Sequence, residues 1–140
     1  MSRIVTCGSH MLSIVDTATG ELAWTMSLHE HQDVPERERE WIAWYKGGTD
    51  ECKPIDGGKR ILVTSNAGFA GIVDIEADTV HRLAWAPGLH SAEMLPDGLC
   101  VLAVSAETAF PPGAPHLEGD CLGLVDTRRP GEVLWRDDYE

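Results

Sequence analysis

A twelve-residue phrase occurs twice in this chain, VTCGSHMLSIVD from Val5 to Asp16 and VTSNAGFAGIVD from Val63 to Asp74, and a split third version, VLAVSA and CLGLVD, follows. The first two copies align without a gap, with identities at Val5/Val63, Thr6/Thr64, Ile14/Ile72, Val15/Val73 and Asp16/Asp74. In the third, 61–65 align with 102–106 and 72–74 with 124–126, so an insertion sits at 107–120 around the turn signal Pro111-Pro112-Gly113. Each copy reads as two short apolar strands joined by a turn, then a strand that ends at Trp24, Trp85 or Trp135. Such self-similarity restricts the chain to a stack of like β units, because one unit cannot bury its own apolar face and must be covered by its neighbour.

One unit runs strand, Asp-Gly turn, strand, short turn, strand ending Val-Asp, turn, and closing strand. Four antiparallel strands in about 40 to 50 residues is the pattern of a propeller blade. The chain is therefore expected to be a single all-β, propeller-like domain: blade one at 1–28, an excursion at 29–48, blade two at 49–88 and blade three at 89–140. Blade two should place strands at 50–55, 60–65, 70–74 and 79–85, and blade three at 90–95, 99–106, 122–126 and 132–136. Blade one offers only 3–7, 12–16 and 21–26, so its inner strand is missing. In the excursion, Pro35 followed by alternating charges and then Trp41, Trp44 and Tyr45 predicts at most a short helix, or an irregular excursion, over one face.

With 140 residues, 43% of them hydrophobic, there is material for one core if the units pack on one another. A formal charge of −12, from 23 acidic and 11 basic residues, repels phosphate backbones and anionic lipid surfaces, which argues against nucleic-acid and membrane partners. The sequence has neither a long uncharged apolar run nor a basic, apolar, small-residue leader, and it reads as a cytoplasmic chain. The four cysteines contain no C-x-x-C pair and so give no zinc knuckle or thioredoxin motif; they are read as reduced, with Cys7 and Cys100 inside apolar strands.

Asp50-Glu51-Cys52-Lys53, the block GKRILVTSNAGFAGIVD, and His90-Ser91-Ala92-Glu93 leading into Leu95-Pro96-Asp97-Gly98 resemble a family of functionally uncharacterised bacterial propeller-like proteins. The resemblance runs from about Trp41 to Val125 and, more loosely, into blade one. It implies a six-bladed ring, and because this chain is about half the family's usual length, it implies closure by more than one chain. It implies no activity. The run from His90 to Gly98 is also similar, more weakly, to propeller arylsulfotransferases, in which a channel histidine before Leu-Pro-Asp-Gly-Asn is catalytic; Leu99 stands where their asparagine would be.

The two inner strands carry Asp50, Glu51, Lys53, His90, Ser91 and Glu93, an unusual polar load for the middle of a structure. Aligning the units sets Ser91 opposite Asp50 and Glu93 opposite Cys52. His90, Ser91, Glu93, Asp50 and Glu51 form the candidate ligand-binding group, suited to a cation, a sugar or an anion, or to general acid and base work. The plainer alternative is that inner strands line a wet channel, where polar groups are solvated or bridge neighbouring blades.

His29-Glu30-His31 with Asp33 has a His-x-His spacing that can chelate a divalent metal on a strand. Lacking a third ligand at a recognisable spacing, it reads as a solvated acidic loop, and neither a metal nor a cofactor is expected. Residues that recur in each unit read as scaffold: Asp16, Asp74 and Asp126 as blade-to-blade or turn-capping hydrogen-bond acceptors, Trp24, Trp85 and Trp135 as packing between blades. Those that break the repeat, His90 first, are the better functional candidates.

The function expected from these features is a non-enzymatic binding or scaffolding module that assembles into a closed ring, as a homodimer completing six blades, with a protein or small molecule as ligand. Its missing inner strand would come from the partner's segment 136–140. The alternative is a propeller-type enzyme, a lactonase, lyase or transferase, with His90 and Glu93 at the central channel.

Overall fold

Alternating apolar residues between Gly, Asp and Pro turns form three antiparallel meander sheets in the computed structural model, which describes residues 2–8, 11–44, 49–105 and 115–139. Sheet one contains β1 (Arg3–Cys7), β2 (Leu12–Asp16) and β3 (Leu22–Met26) in that order. Sheet two contains β4 (Glu51–Ile55), β5 (Arg60–Thr64), β6 (Phe69–Asp74) and β7 (Thr79–Trp85). Sheet three contains β8 (Leu89–Met94), β9 (Leu99–Val104), β10 (Cys121–Asp126) and β11 (Val133–Asp138). The expected excursion helix is α1 (Glu36–Trp44), opened by Pro35, whose carbonyl accepts from the Glu38 and Arg39 N–H groups. The chain is thus mostly β, as expected. Tyr45 and the Pro111-Pro112-Gly113 turn lie outside the described residues.

Sheet two is buried on both faces, which is why RILVT reads as a continuous apolar run rather than an alternation. Ile61, Val63, Phe69, Val73 and Trp85 pack with Leu12 and Ile14 of sheet one, and Leu28, just after β3, with Val34 and Ile42 from the excursion fill the same core. Leu62, Ile72 and Leu83 pack instead with Leu89, Leu102 and Val125 of sheet three, where Leu117 plays the filling role.

The ladder registers revise the repeat. Arg3 faces Asp16, Arg60 faces Asp74 and Leu99 faces Asp126. Anchored at these aspartates, Val5 takes the place of Leu62, not of Val63, and Leu102 takes the place of Val63, not of Ile61. The turn between β5 and β6 carries one residue more than that between β1 and β2, so the gapless alignment slips β1 by one position. A slip of one exchanges the faces. Val5 accordingly packs toward sheet two, while Ile4 lies on the outer face of sheet one, 49% exposed.

Bulges revise the tryptophans. Trp24 faces Ile14 and Trp135 faces Leu124, each just before a bulge, so these two are equivalent. Sheet two bulges between Ala70 and Gly71 instead, and Trp85 falls opposite Phe69 on the other face. Trp85 is buried and Trp24 packs on the same core, whereas Trp135 is 50% exposed. The recurring aspartates do cap turns: Asp16, Asp74 and Asp126 each accept through Oδ1 from a following backbone N–H, that of Ala18, Ala77 and Arg128, at 2.8 to 2.9 Å. The segment expected to leave sheet three does not. Asp137 faces Leu122 and Asp138 faces Cys121 within β11, and the Tyr139 N–H donates to the Asp120 carbonyl, so this stretch is already paired and cannot serve as the inner strand of another sheet one.

Gly71 and Gly123 hold the same position in sheets two and three, and each is roofed by a side chain: Phe69 over Gly71, Leu117 over Gly123. A Cβ at Gly71 would lie 2.6 Å from the Phe69 ring and 3.0 Å from the His81 carbonyl oxygen. Gly71→Ala is expected to cost about 1–3 kcal/mol, the usual range for overpacking a filled core, read as a lower urea midpoint. Gly123→Ala should cost less, since the Leu117 methyls can turn away. Equal midpoints for Gly71→Ala and the parent chain would refute this account of the position.

Candidate functional site

β4 and β8 are the first strands of sheets two and three and pack against each other. Pairing with β5 puts Glu51 opposite Thr64 and Lys53 opposite Leu62, on the face turned to sheet three, while Cys52, opposite Val63, faces sheet one. In β8 a bulge between Leu89 and Ser91 leaves His90 without an opposite residue. Beyond it Ala92 faces Leu102 toward sheet two, so Ser91 and Glu93 belong to the other face. Ser91 therefore occupies the place of Glu51 and Glu93 that of Lys53, not those of Asp50 and Cys52 as aligned above. The β8–β9 turn is one residue shorter than the β4–β5 turn, which accounts for the step.

Lys53 is the centre of the group. Its Nζ lies 3.0 Å from Glu51 Oε1 and 2.8 Å from Glu93 Oε2, and it donates to the Ala92 carbonyl at 2.9 Å. Glu51 Oε2 accepts from the Ala92 N–H at 3.4 Å, and Glu51 is also hydrogen-bonded to the Ser91 side chain. One residue of β8, Ala92, is thus gripped on its N–H and on its carbonyl by two side chains of β4.

Partial burial works to raise the Glu51 carboxyl, but hydrogen bonds from Ser91 and Lys53 and the Lys53 charge outweigh it and hold the group below its ordinary value. Lys53 is shifted up, first by its hydrogen bond to Glu93 and against some desolvation. At neutral pH both are charged and mutually satisfied, an arrangement that ties two sheets together and is poorly placed to exchange protons.

The structure brings Glu51, Ser91 and Glu93 together around Lys53 and does not bring in the other two candidates. His90 is exposed on its bulge, and among the described residues no hydrogen bond or ion pair joins it to Glu93. Asp50 is exposed; its N–H donates to the Thr64 carbonyl and its own carbonyl accepts from the Cys7 thiol at 3.6 Å. Lys53 was visible in the sequence on the inner strand, and the signal that marks it is its period-two spacing from Glu51.

Removing that cation is expected to be felt. Lys53→Met should lower stability at pH 7 by about 1–2 kcal/mol, modest because the pair is partly solvated. A depressed carboxyl contributes stability above its unfolded value, here 4.5, and loses it as pH falls through the lower folded value. The deficit of Lys53→Met should therefore shrink at pH 3, and urea midpoints that stay equally far apart at pH 7 and pH 3 would contradict the coupling.

The histidine cluster is structural. His31 is buried; its Nδ1 accepts from the Asp33 N–H at 3.1 Å, which places the ring proton on Nε2, facing the Asp78 carbonyl at 3.2 Å. His29 lies in a 3-10 turn, Leu28–Glu30, where the strand geometry of a His-x-His chelate does not arise. No group of three or more His, Cys, Asp or Glu among the described residues is placed to hold a metal ion. Glu38 of α1 is buried and paired with Arg82 of β7, and burial pushes its carboxyl up against the pull of the guanidinium.

Among the described residues, a cleft of about 340 Å³ lies between sheets one and two, lined by Arg3, Ile14 and Pro54 among others, and another of about 250 Å³ beside α1, lined in part by His29; neither includes His90, Ser91, Glu93, Asp50 or Glu51. No helix among the described residues is long and apolar enough to cross a membrane. Compared with family models and with curated proteins, the chain matches none.

Proposed function

We propose that the three sheets are consecutive blades of a propeller-like ring, and that the chain is a non-enzymatic binding or scaffolding module that closes the ring with a second copy of itself. The observation that carries this reading is that the two uncovered faces repeat the covered ones. Val101, Leu122 and Leu124 on the outer face of sheet three stand in register with Leu62, Ala70 and Ile72, which are buried against sheet three. Ile4 and Val15 on the outer face of sheet one stand in register with Ile61 and Val73, which are buried against sheet one. Sheet three of one copy is thereby shaped to cover sheet one of the other, as sheet two covers sheet three. Two such contacts related by a two-fold axis close a six-bladed ring.

The Lys53 network supports a scaffold over a catalyst, because its charges are engaged in joining neighbouring sheets. His90 and Asp50, exposed near the ends of the inner strands, are the groups left to meet a protein or small-molecule ligand. The resemblance to six-bladed bacterial proteins points the same way. Sedimentation equilibrium at micromolar concentration tests the assembly: a species of twice 15.3 kDa is expected, and a well-folded 15.3 kDa species would overturn it.

A further inference from the structure

Two thiols meet at the junction of sheets one and two. Cys7 ends β1 and Cys52 lies in β4, two strands that pack together. The Cys7 Sγ is 3.6 Å from the carbonyl oxygen of Asp50, two residues before Cys52, and the Cys7 thiol is a near neighbour of the Cys52 thiol. Both pack on the core that joins the sheets, yet both stay partly exposed. The other two cysteines differ on each count: Cys100 and Cys121 are buried, and they face Val125 and Val104 at opposite ends of the β9–β10 ladder.

We propose that Cys7 and Cys52 are a redox modification site, joined by a peroxide-class oxidant in a disulfide that staples sheet one to sheet two. One sulfur attacks a peroxide oxygen, the O–O bond breaks, and hydroxide leaves to give a sulfenic acid and, once protonated, water. The second sulfur then attacks the first, its proton and the sulfenic hydroxyl depart as a second water, and the S–S bond forms. Two thiols lose two electrons and two protons, and the peroxide becomes two waters; a dithiol reverses the bond by exchange. Burial, then the neighbouring Cys7 thiol and the Glu51 charge, push the Cys52 thiol up to about 12, which makes Cys52 a poor nucleophile for the first of the two steps.

The bond would enclose the whole excursion, α1 included, in one covalent loop, and an added loop constraint of this size raises a thermal midpoint by about 10 °C. Full-length chain treated with stoichiometric hydrogen peroxide should fall from four free thiols to two, yield a peptide joining Cys7 to Cys52, and melt higher until dithiothreitol is added. Cys7→Ser and Cys52→Ser should each abolish the linked peptide and the shift, while the double variant Cys100→Ser, Cys121→Ser keeps both. Peptide mapping of the parent chain decides the matter even where a serine variant folds poorly. Four thiols retained, a peptide joining other cysteines, or linkage only between chains would overturn the assignment.

Discussion

Leu124→Glu is expected to leave a folded monomer of 15.3 kDa under conditions where the parent chain is paired. Leu124 is half-buried on the outer face of sheet three, in the place that Ile72, 4% exposed, holds against its neighbour in sheet two. A carboxylate there would have to shed water against the apolar face of the second copy with no partner charge. That costs enough to weaken association by about 30-fold or more, the scale of an interface hot spot. In the single chain the same carboxylate stays in water, so stability should change by less than about 1 kcal/mol.

Leu22→Glu probes the other side, since Leu22 is 61% exposed and pairs with Val15 on the outer face of sheet one. It should dissociate the pair as well, because in the proposed ring each contact uses sheet three of one copy and sheet one of the other. A mixture of the two variants should recover part of the association, one of its two contacts being unaltered. If Leu124→Glu dissociates the pair and Leu22→Glu does not, sheet three meets sheet three and the ring is wrong. The closed ring should also bury more than about 1,200 Å² in total, the lower end for stable specific interfaces.

Arg82→Met should cost the fold about 2 kcal/mol. The Glu38 carboxylate is buried beneath α1, and breaking a fully buried pair costs about 3–5 kcal/mol because the remaining charge has lost its partner. The lower figure applies because Arg82 itself is about one-third exposed. The sign with pH is opposite to that at Glu51. Burial raises Glu38 above its unfolded value of 4.5, so the folded state binds the proton more tightly, and stability falls as pH rises from 4.5 through the folded value. Losing Arg82 moves the folded value further up. The deficit of Arg82→Met should therefore be larger at pH 7 than at pH 5, and Glu38→Gln in that background should recover part of it. Equal deficits at the two pH values, by urea unfolding, would reduce Arg82 to a packing role.

Strand positions were legible because each is a short apolar run fenced by Asp-Gly, Asn-Ala-Gly or Pro-Gly: β7 occupies Thr79–Trp85 and β2 Leu12–Asp16 as read from the sequence. The helix was legible from Pro35 and the charges after it. Facing was harder. Val5 and Val63 are identical in context, yet one extra turn residue in sheet two sends them to opposite sides, and composition does not record turn length. Trp24, Trp85 and Trp135 were read alike as strand ends, yet only Trp85 ends its strand, and the bulge at Ala70/Gly71 turns it to the other face. The candidate site inherits this difficulty. Glu51, Ser91 and Glu93 could be recognised as polar residues on inner strands, but that they converge on Lys53 follows only once the register fixes which of them share a face. His90, marked because it breaks the repeat, does so by being the bulged residue. Asp137 and Asp138, assigned from the sequence to a partner's missing strand, belong to β11, since an edge strand can carry charge without burying it.

The grip on Ala92 has one more consequence. An edge strand with open N–H and carbonyl groups is a template on which another chain can add a strand, and the β8 edge of sheet three is such a place. At its middle both groups are taken, the N–H by Glu51 and the carbonyl by Lys53, with Glu93 holding the ammonium in position. An incoming strand would have to displace two carboxylates and an ammonium before it could form its first ladder bonds there. The side chains that join sheet three to sheet two therefore also guard it against edge-to-edge aggregation, and losing Lys53 would unlock the edge as well as loosen the junction.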